Sequence, residues 1–83
     1  MKLMYLIKVE YIPTETNTVA SSPIVTYLGM QGSGGEGCKQ YIASRYGFNT
    51  YLDAEKIMKI KQLGTDTSDN NWTKQYSIVT VEV

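Results

Sequence analysis

Apolar and polar positions alternate over the first part of the chain, a pattern with a period of two residues that is typical of a β-strand. The odd positions carry aromatic and branched apolar side chains and are predicted to face the core: Leu3, Tyr5, Ile7, Val9 and Tyr11. Pro13 should end this strand, because proline has no N–H to donate to a sheet. The polar stretch over 14–22 then predicts a loop.

Three further segments have strand-like patterns. They cover 24–28, 39–48 and 74–83, and in the last of them Ser77, Val79, Val81 and Val83 share one face. Between the first two of these segments lies a glycine-rich run over 32–37. It predicts a flexible hairpin loop built on Gly32, Gly34, Gly35 and Gly37.

One helix is predicted over about 51–63. Thr50 and Asp53 match a capping box, in which two side chains satisfy N–H groups that the first helical turn leaves without partners. Gly64 supplies a typical residue after the helix end. Apolar residues then recur at helical spacing and are expected to face the sheet: Ala54, Ile57, Met58 and Leu63.

The element order is therefore β-β-β-α-β within a single domain over 1–83. We expect an α+β fold: a small four-stranded sheet, mainly antiparallel or mixed, with the helix packed on one face. The first and last strands are the most apolar and are predicted to lie near the centre of the sheet. Since one helix covers only one face, the other face should meet solvent or a partner.

Composition argues against conventional catalysis. The chain has 83 residues, of which 42% are hydrophobic and 19% charged, and its formal net charge is zero. It contains no histidine, which removes the commonest general base and metal ligand. A neutral chain also lacks a strong overall field that would draw it onto phosphate or an anionic membrane. We expect a protein that is not an enzyme.

Two motifs that could hold a cofactor or metal are set aside on their context. The run over 32–37 fits G-x-G-x-x-G, but dinucleotide binding needs a helix after the glycines, and a strand is predicted there. Asp66, Ser68 and Asn70 are spaced like the first calcium ligands of a helix-loop-helix site, although Asn71 replaces the glycine and Ser77 the glutamate. No cofactor and no metal are predicted.

The chain carries one cysteine, Cys38, so it can form no internal disulfide bond. The apolar run at the N-terminus is broken by Lys8 and Glu10, which makes it too short for a signal peptide or a membrane span. We therefore expect a cytoplasmic protein, or one in the host cytoplasm if phage-encoded, without membrane attachment.

Aromatic residues crowd the middle of the chain. The segment Arg45-Tyr46-Gly47-Phe48-Asn49-Thr50-Tyr51, followed by Ala54 and a helix, resembles the second half of an RNA-recognition motif. The resemblance implies that Tyr46, Phe48 and Arg45, helped by Lys39, contact bases of a single strand. The alternative is that these aromatics fill a small core and flank the start of the helix.

In size, in its Tyr-, Asn- and Thr-rich composition and in its single αβ unit, the chain is similar to small orphan proteins of phages and mobile elements. Many of these inhibit host machinery, anti-CRISPR proteins among them. This favours a non-catalytic protein that occupies a site on another macromolecule. Its predicted contacts with a protein partner are Tyr46, Tyr51, Trp72 and Arg45. Nucleic-acid binding and self-association through a sheet edge remain open alternatives.

Overall fold

The computed structural model describes residues 2–14, 22–63 and 72–83. These contain, in chain order, β1 (Leu3–Pro13), β2 (Ile24–Leu28), β3 (Ser33–Gly34), a short 3-10 turn (Glu36–Cys38), α1 (Lys39–Tyr46), α2 (Tyr51–Leu63) and β4 (Trp72–Glu82). The predictions on 15–21 and 64–71, including the helix end at Gly64 and the Asp66-Ser68-Asn70 pattern, lie outside the described residues.

The strands form one antiparallel sheet in the order β3-β2-β1-β4, so the predicted α+β class with a four-stranded sheet is confirmed. β1 and β4 pair over their whole length, from Leu3 opposite Glu82 to Pro13 opposite Trp72. β1 is central, as predicted, but β4 is an edge strand. The prediction for β4 was wrong because apolar side chains indicate that the faces of a strand are buried. They do not indicate whether the strand has a hydrogen-bonded neighbour on both sides.

The strand predicted over 39–48 is wrong, because residues 39–46 form α1. Ile42, Ala43 and Tyr46 lie at positions i, i+1 and i+4, which share one side of a helix, and all three join a core cluster. The N–H of Gly47 donates to the carbonyl of Ala43 at 3.1 Å and ends this helix. The third strand of the sheet is instead β3, within the glycine-rich segment.

The hairpin loop predicted over 32–37 is shifted in the structure: Leu28 pairs with Ser33 across the loop 29–32, whereas Ser33–Gly34 forms β3 and Glu36–Cys38 the 3-10 turn. Its glycines allow close packing, since a Cβ on Gly32 would lie 2.5 Å from the ring of Tyr46, and one on Gly34 3.0 Å from Ile42. The strand predicted after the glycines was wrong, because α1 follows them. The absence of a helix is therefore no longer a reason against dinucleotide binding. The surrounding strands are antiparallel, however, whereas that motif belongs to a parallel βαβ unit.

Both faces of β1 are packed, which differs from the prediction that only its odd positions face the core. Met4 and Leu6 belong to a cluster with residues of α1, and Ile7 and Val9 belong to a second cluster that includes Ala54 of α2. Leu3, at the strand end, is exposed. The helix that the sequence did not predict, α1, therefore covers the sheet face that was expected to meet solvent or a partner.

The predicted α2 is confirmed over Tyr51–Leu63. The hydroxyl of Thr50 accepts a hydrogen bond from the N–H of Asp53 at 3.1 Å, which is the N-cap half of the predicted capping box. Phe48, just before this helix, forms a two-way backbone bridge with Tyr5, with N···O distances of 2.8 and 3.0 Å. This bridge holds the start of α2 against β1.

Two glycines offer a matched test of this packing. A Cβ added at Gly47 would lie 2.5 Å from the Ala43 carbonyl oxygen and 2.8 Å from the Met4 Cβ, whereas one at Gly37 would meet nothing within 4 Å. We expect Gly47→Ala to lower the free energy of unfolding by about 1–3 kcal/mol through overpacking, and Gly37→Ala to leave it nearly unchanged. Urea denaturation of both variants measures the difference, and equal effects would contradict the placement of Gly47.

Candidate binding surface

The structure separates the four predicted protein contacts. Tyr51 is the exposed first residue of α2, and its ring lies edge-on to Tyr5 at 6.1 Å. Arg45 and Tyr46 lie on α1, where Arg45 is exposed over the ring of Tyr41 at 5.6 Å and Tyr46 is half-buried. Trp72 is half-buried at the start of β4. Tyr5, which contacts Tyr51, is paired with Thr80 on β4. Trp72 lies roughly 25 Å along β4 from Thr80, at about 3.3 Å per residue, and is therefore far from Tyr51.

The side chains predicted to stack on bases also lack a common platform. Phe48 is 3% exposed and packs in the core with Ile7, Val9 and Ala54. Lys39 lies over the ring of Tyr27, with its ammonium nitrogen 5.3 Å from the ring centroid. The aromatic segment that resembles an RNA-recognition motif is therefore a helix followed by a buried bridge, rather than an open strand.

A feature that the sequence analysis did not predict is a set of exposed apolar side chains on α2. Ala54 and Met58 pack against the sheet, but Leu52, Ile60 and Leu63 are 61%, 63% and 88% exposed. At 100° per residue these three lie on the side of α2 opposite the core, with Lys56 between them. We call Leu52, Lys56, Ile60 and Leu63 the outer α2 face. The prediction that Leu63 faces the sheet was wrong.

A groove lies beside this face, between α2 and the hairpin loop 29–32. It has a volume of about 500 Å³, and its walls include Met30, Ile57 and Ile60. Met30 is 59% exposed. A neighbouring hollow of about 360 Å³ shares Met30 and Ile57 and is also lined by Phe48, Asp53 and Lys56. We call these together the α2 groove. The outer α2 face and the α2 groove share Ile60, so the exposed apolar surface is continuous.

The charged side chains of α2 include one more cation than anion. α2 carries Lys56, Lys59 and Lys61 against Asp53 and Glu55. The ammonium of Lys59 lies 3.6 Å from a carboxylate oxygen of Glu55, so these two charges offset each other. On the side that faces away from the sheet, Lys56 lies within the apolar stripe, and it lines the α2 groove together with Asp53. Such a surface favours an apolar partner with acidic residues at its margin.

Tyr27 makes a polar contact on the face of the sheet that α1 covers. Its ring is buried, and its hydroxyl donates a hydrogen bond to the carboxylate of Glu36. This bond, together with burial and the negative charge of Glu36, raises the pKa of Tyr27 from 10.0 to about 12. The hydroxyl therefore stays protonated at neutral pH and fixes the 3-10 turn to β2.

Alkaline titration tests this contact. We expect the difference in tyrosinate absorbance between wild type and Tyr27→Phe to develop near pH 12, and Glu36→Gln to move that step down towards pH 10. Because the pKa is higher in the folded state, the stabilisation is fully present below pH 10 and is lost as the pH rises towards 12. A Tyr27 step near pH 10 in the folded wild type would contradict the contact.

Comparison with known protein families, with curated proteins and with solved structures found no match to this chain. Across residues 2–14, 22–63 and 72–83, no three His, Cys, Asp or Glu side chains are placed to hold a metal ion. No described helix is long and apolar enough to cross a membrane. The surfaces of the described residues are therefore the remaining indication of function.

Proposed function

We propose that this protein is a non-catalytic binding protein that docks on another protein through the outer α2 face and the α2 groove. The observation that carries the proposal is that α2 is apolar on both sides, while residues 2–14, 22–63 and 72–83 cover only one of them. Burying Ile60 or Leu63 in a partner would contribute about 1.5–3 kcal/mol for each fully covered side chain. Contiguous exposed apolar surface of this kind is typical of interaction sites.

The partner that fits best is an amphipathic helix with acidic residues beside its apolar side. The outer α2 face is a straight stripe along a helix axis, which suits a second helix lying beside it. Lys56, within the stripe, would meet an acidic residue of that helix. The α2 groove next to Ile60 can receive one large apolar side chain as an anchor.

A concave site favours a protein over a membrane surface. A bilayer presents a broad plane, and the groove between Met30 and Ile57 would stay empty against it. Occupying a site on a larger protein is also how the small phage and mobile-element inhibitors act, which the chain resembles in size and composition. Inhibition of a host protein is the specific form of binding that we propose.

Site-specific photocrosslinking tests the proposal in cells that express the protein. A photoreactive phenylalanine analogue at position 60 should capture a discrete protein, while the same analogue at exposed Ser44 on α1 should not. Excess unlabelled wild type should suppress the crosslink, and excess Ile60→Asp protein should not. Equal capture at both positions, suppression by the Ile60→Asp competitor, or crosslinking to lipid alone would overturn the proposal.

A further inference from the structure

The outer edge of β4 carries no paired strand in the part of the chain that the structure describes. Its backbone orientation follows from the bonds at its end, where Val83 and Lys2 exchange two hydrogen bonds with N···O distances of 2.8 and 3.2 Å. The N–H and C=O groups of successive residues point to alternate sides of a strand. Those of odd-numbered residues in β4 therefore point to β1, and those of even-numbered residues point to the open edge. The side-chain amide of Gln40 donates to the outward carbonyl of Glu82 at 2.8 Å, which agrees with this assignment.

We propose that two copies of this chain pair through their β4 edges, antiparallel, with Ile78 opposite Ile78 of the second copy. This joins the two four-stranded sheets into one continuous sheet about a two-fold axis. The backbone groups of Ile78 point outward in each copy, so the central pair exchanges two hydrogen bonds. The ladder then runs from residue 74 to residue 82 of each chain.

Charge selects this register among the symmetric ones. When two identical strands pair about a two-fold axis, the residue numbers of each facing pair add up to the same value. With Ile78 at the centre, Lys74 of each copy lies opposite Glu82 of the other, which gives two such pairs. A shift of the centre by one residue towards the N-terminus places Lys74 opposite Thr80 instead. If the centre moves by two residues, Lys74 lies opposite Ile78. Neither alternative forms the ion pair. Opposite charges at directly facing positions stabilise a strand pair, whereas like charges destabilise it.

The local contacts permit this pairing. Lys74, Thr80 and Glu82 are exposed. The Lys74 ammonium lies over the ring of Tyr11 on β1, 5.6 Å from the ring centroid, so this exposed side chain turns outward when it pairs with Glu82 of the second copy. The Glu82 carbonyl can accept a second hydrogen bond while it keeps the one from Gln40. Long unprotected edges are uncommon in monomers because they invite pairing. The inference is independent of the proposed function, because the pairing uses no residue of the outer α2 face.

Sedimentation equilibrium up to millimolar concentration tests the inference through a charge swap. Wild type should form a dimer, Lys74→Glu and Glu82→Lys should each weaken it about tenfold or more by opposing like charges, and the double variant should restore it. Thr80→Pro removes one outward N–H that the monomer does not use, and should give a folded monomer. A monomeric wild type, a double variant no better than the singles, or a dimeric Thr80→Pro protein would overturn the inference.

Discussion

Truncating either Leu6 or Ile7 to alanine is expected to lower the free energy of unfolding by about 2–5 kcal/mol, the range for deleting buried aliphatic groups. These neighbours point to opposite faces of β1, and both are 0% exposed. Leu6 packs in the cluster with α1 and Ile7 in the cluster with α2. A small domain has a total stability of only about 5–15 kcal/mol, so each variant should lose a large fraction of it.

Leu3→Ala is the matched control, since Leu3 lies on the same strand but is exposed, and its truncation should cost less than about 0.5 kcal/mol. Chemical denaturation of the three variants provides the comparison. A large effect for Ile7→Ala with a negligible one for Leu6→Ala would mean that only one face of the sheet is covered. That result would contradict the packing of α1 described above.

Replacing Ile60 with aspartate is expected to weaken binding to the photocrosslinked partner by about 30-fold or more, the size of a hot-spot loss. The carboxylate would be buried in an apolar contact and would face the acidic margin that we expect on the partner. Because Ile60 is exposed in the free protein, the free energy of unfolding should change by no more than about 0.5 kcal/mol.

Gln62→Asp is the control for this variant, because it adds the same charge to α2 at an exposed position away from the outer α2 face. Its affinity should stay close to that of wild type. Calorimetric titration measures both dissociation constants. Equal losses for the two variants would show that added negative charge, rather than the apolar contact at Ile60, weakens binding.

Local signals made part of this fold predictable. The Thr50 hydroxyl accepts the Asp53 N–H as the capping pattern indicated, and α2 has the predicted bounds. The alternation in β1 and β4 also identified strands correctly. α1 was missed because it has only eight residues, too few for a strong helical signal, and its formation depends on packing against the sheet. Missing α1 in turn left one face of β1 without a predicted cover.

The candidate surface was harder to predict. Residue type favoured aromatics as partner contacts, and of the predicted set only Tyr51 lies on α2. Which side of α2 faces the sheet depends on its tertiary docking, and Leu63 was assigned to the buried side. The available signal was that apolar residues occupy both sides of α2, with Leu52 and Ile60 opposite Ala54 and Met58. An ordinary surface helix has one apolar side.

Docking through α2 is tested most directly by a methyl NMR titration of the protein, labelled at Ile, Leu and Met, with the photocrosslinked partner. We expect the chemical shift changes to concentrate on the side chains of the outer α2 face and the α2 groove: Met30, Leu52, Ile57, Ile60 and Leu63. The methyls of Leu6 in the core and Ile78 on β4 should change little. Shifts centred on Ile78, or spread over α1, with an unchanged Ile60, would contradict the claim that α2 is the docking surface.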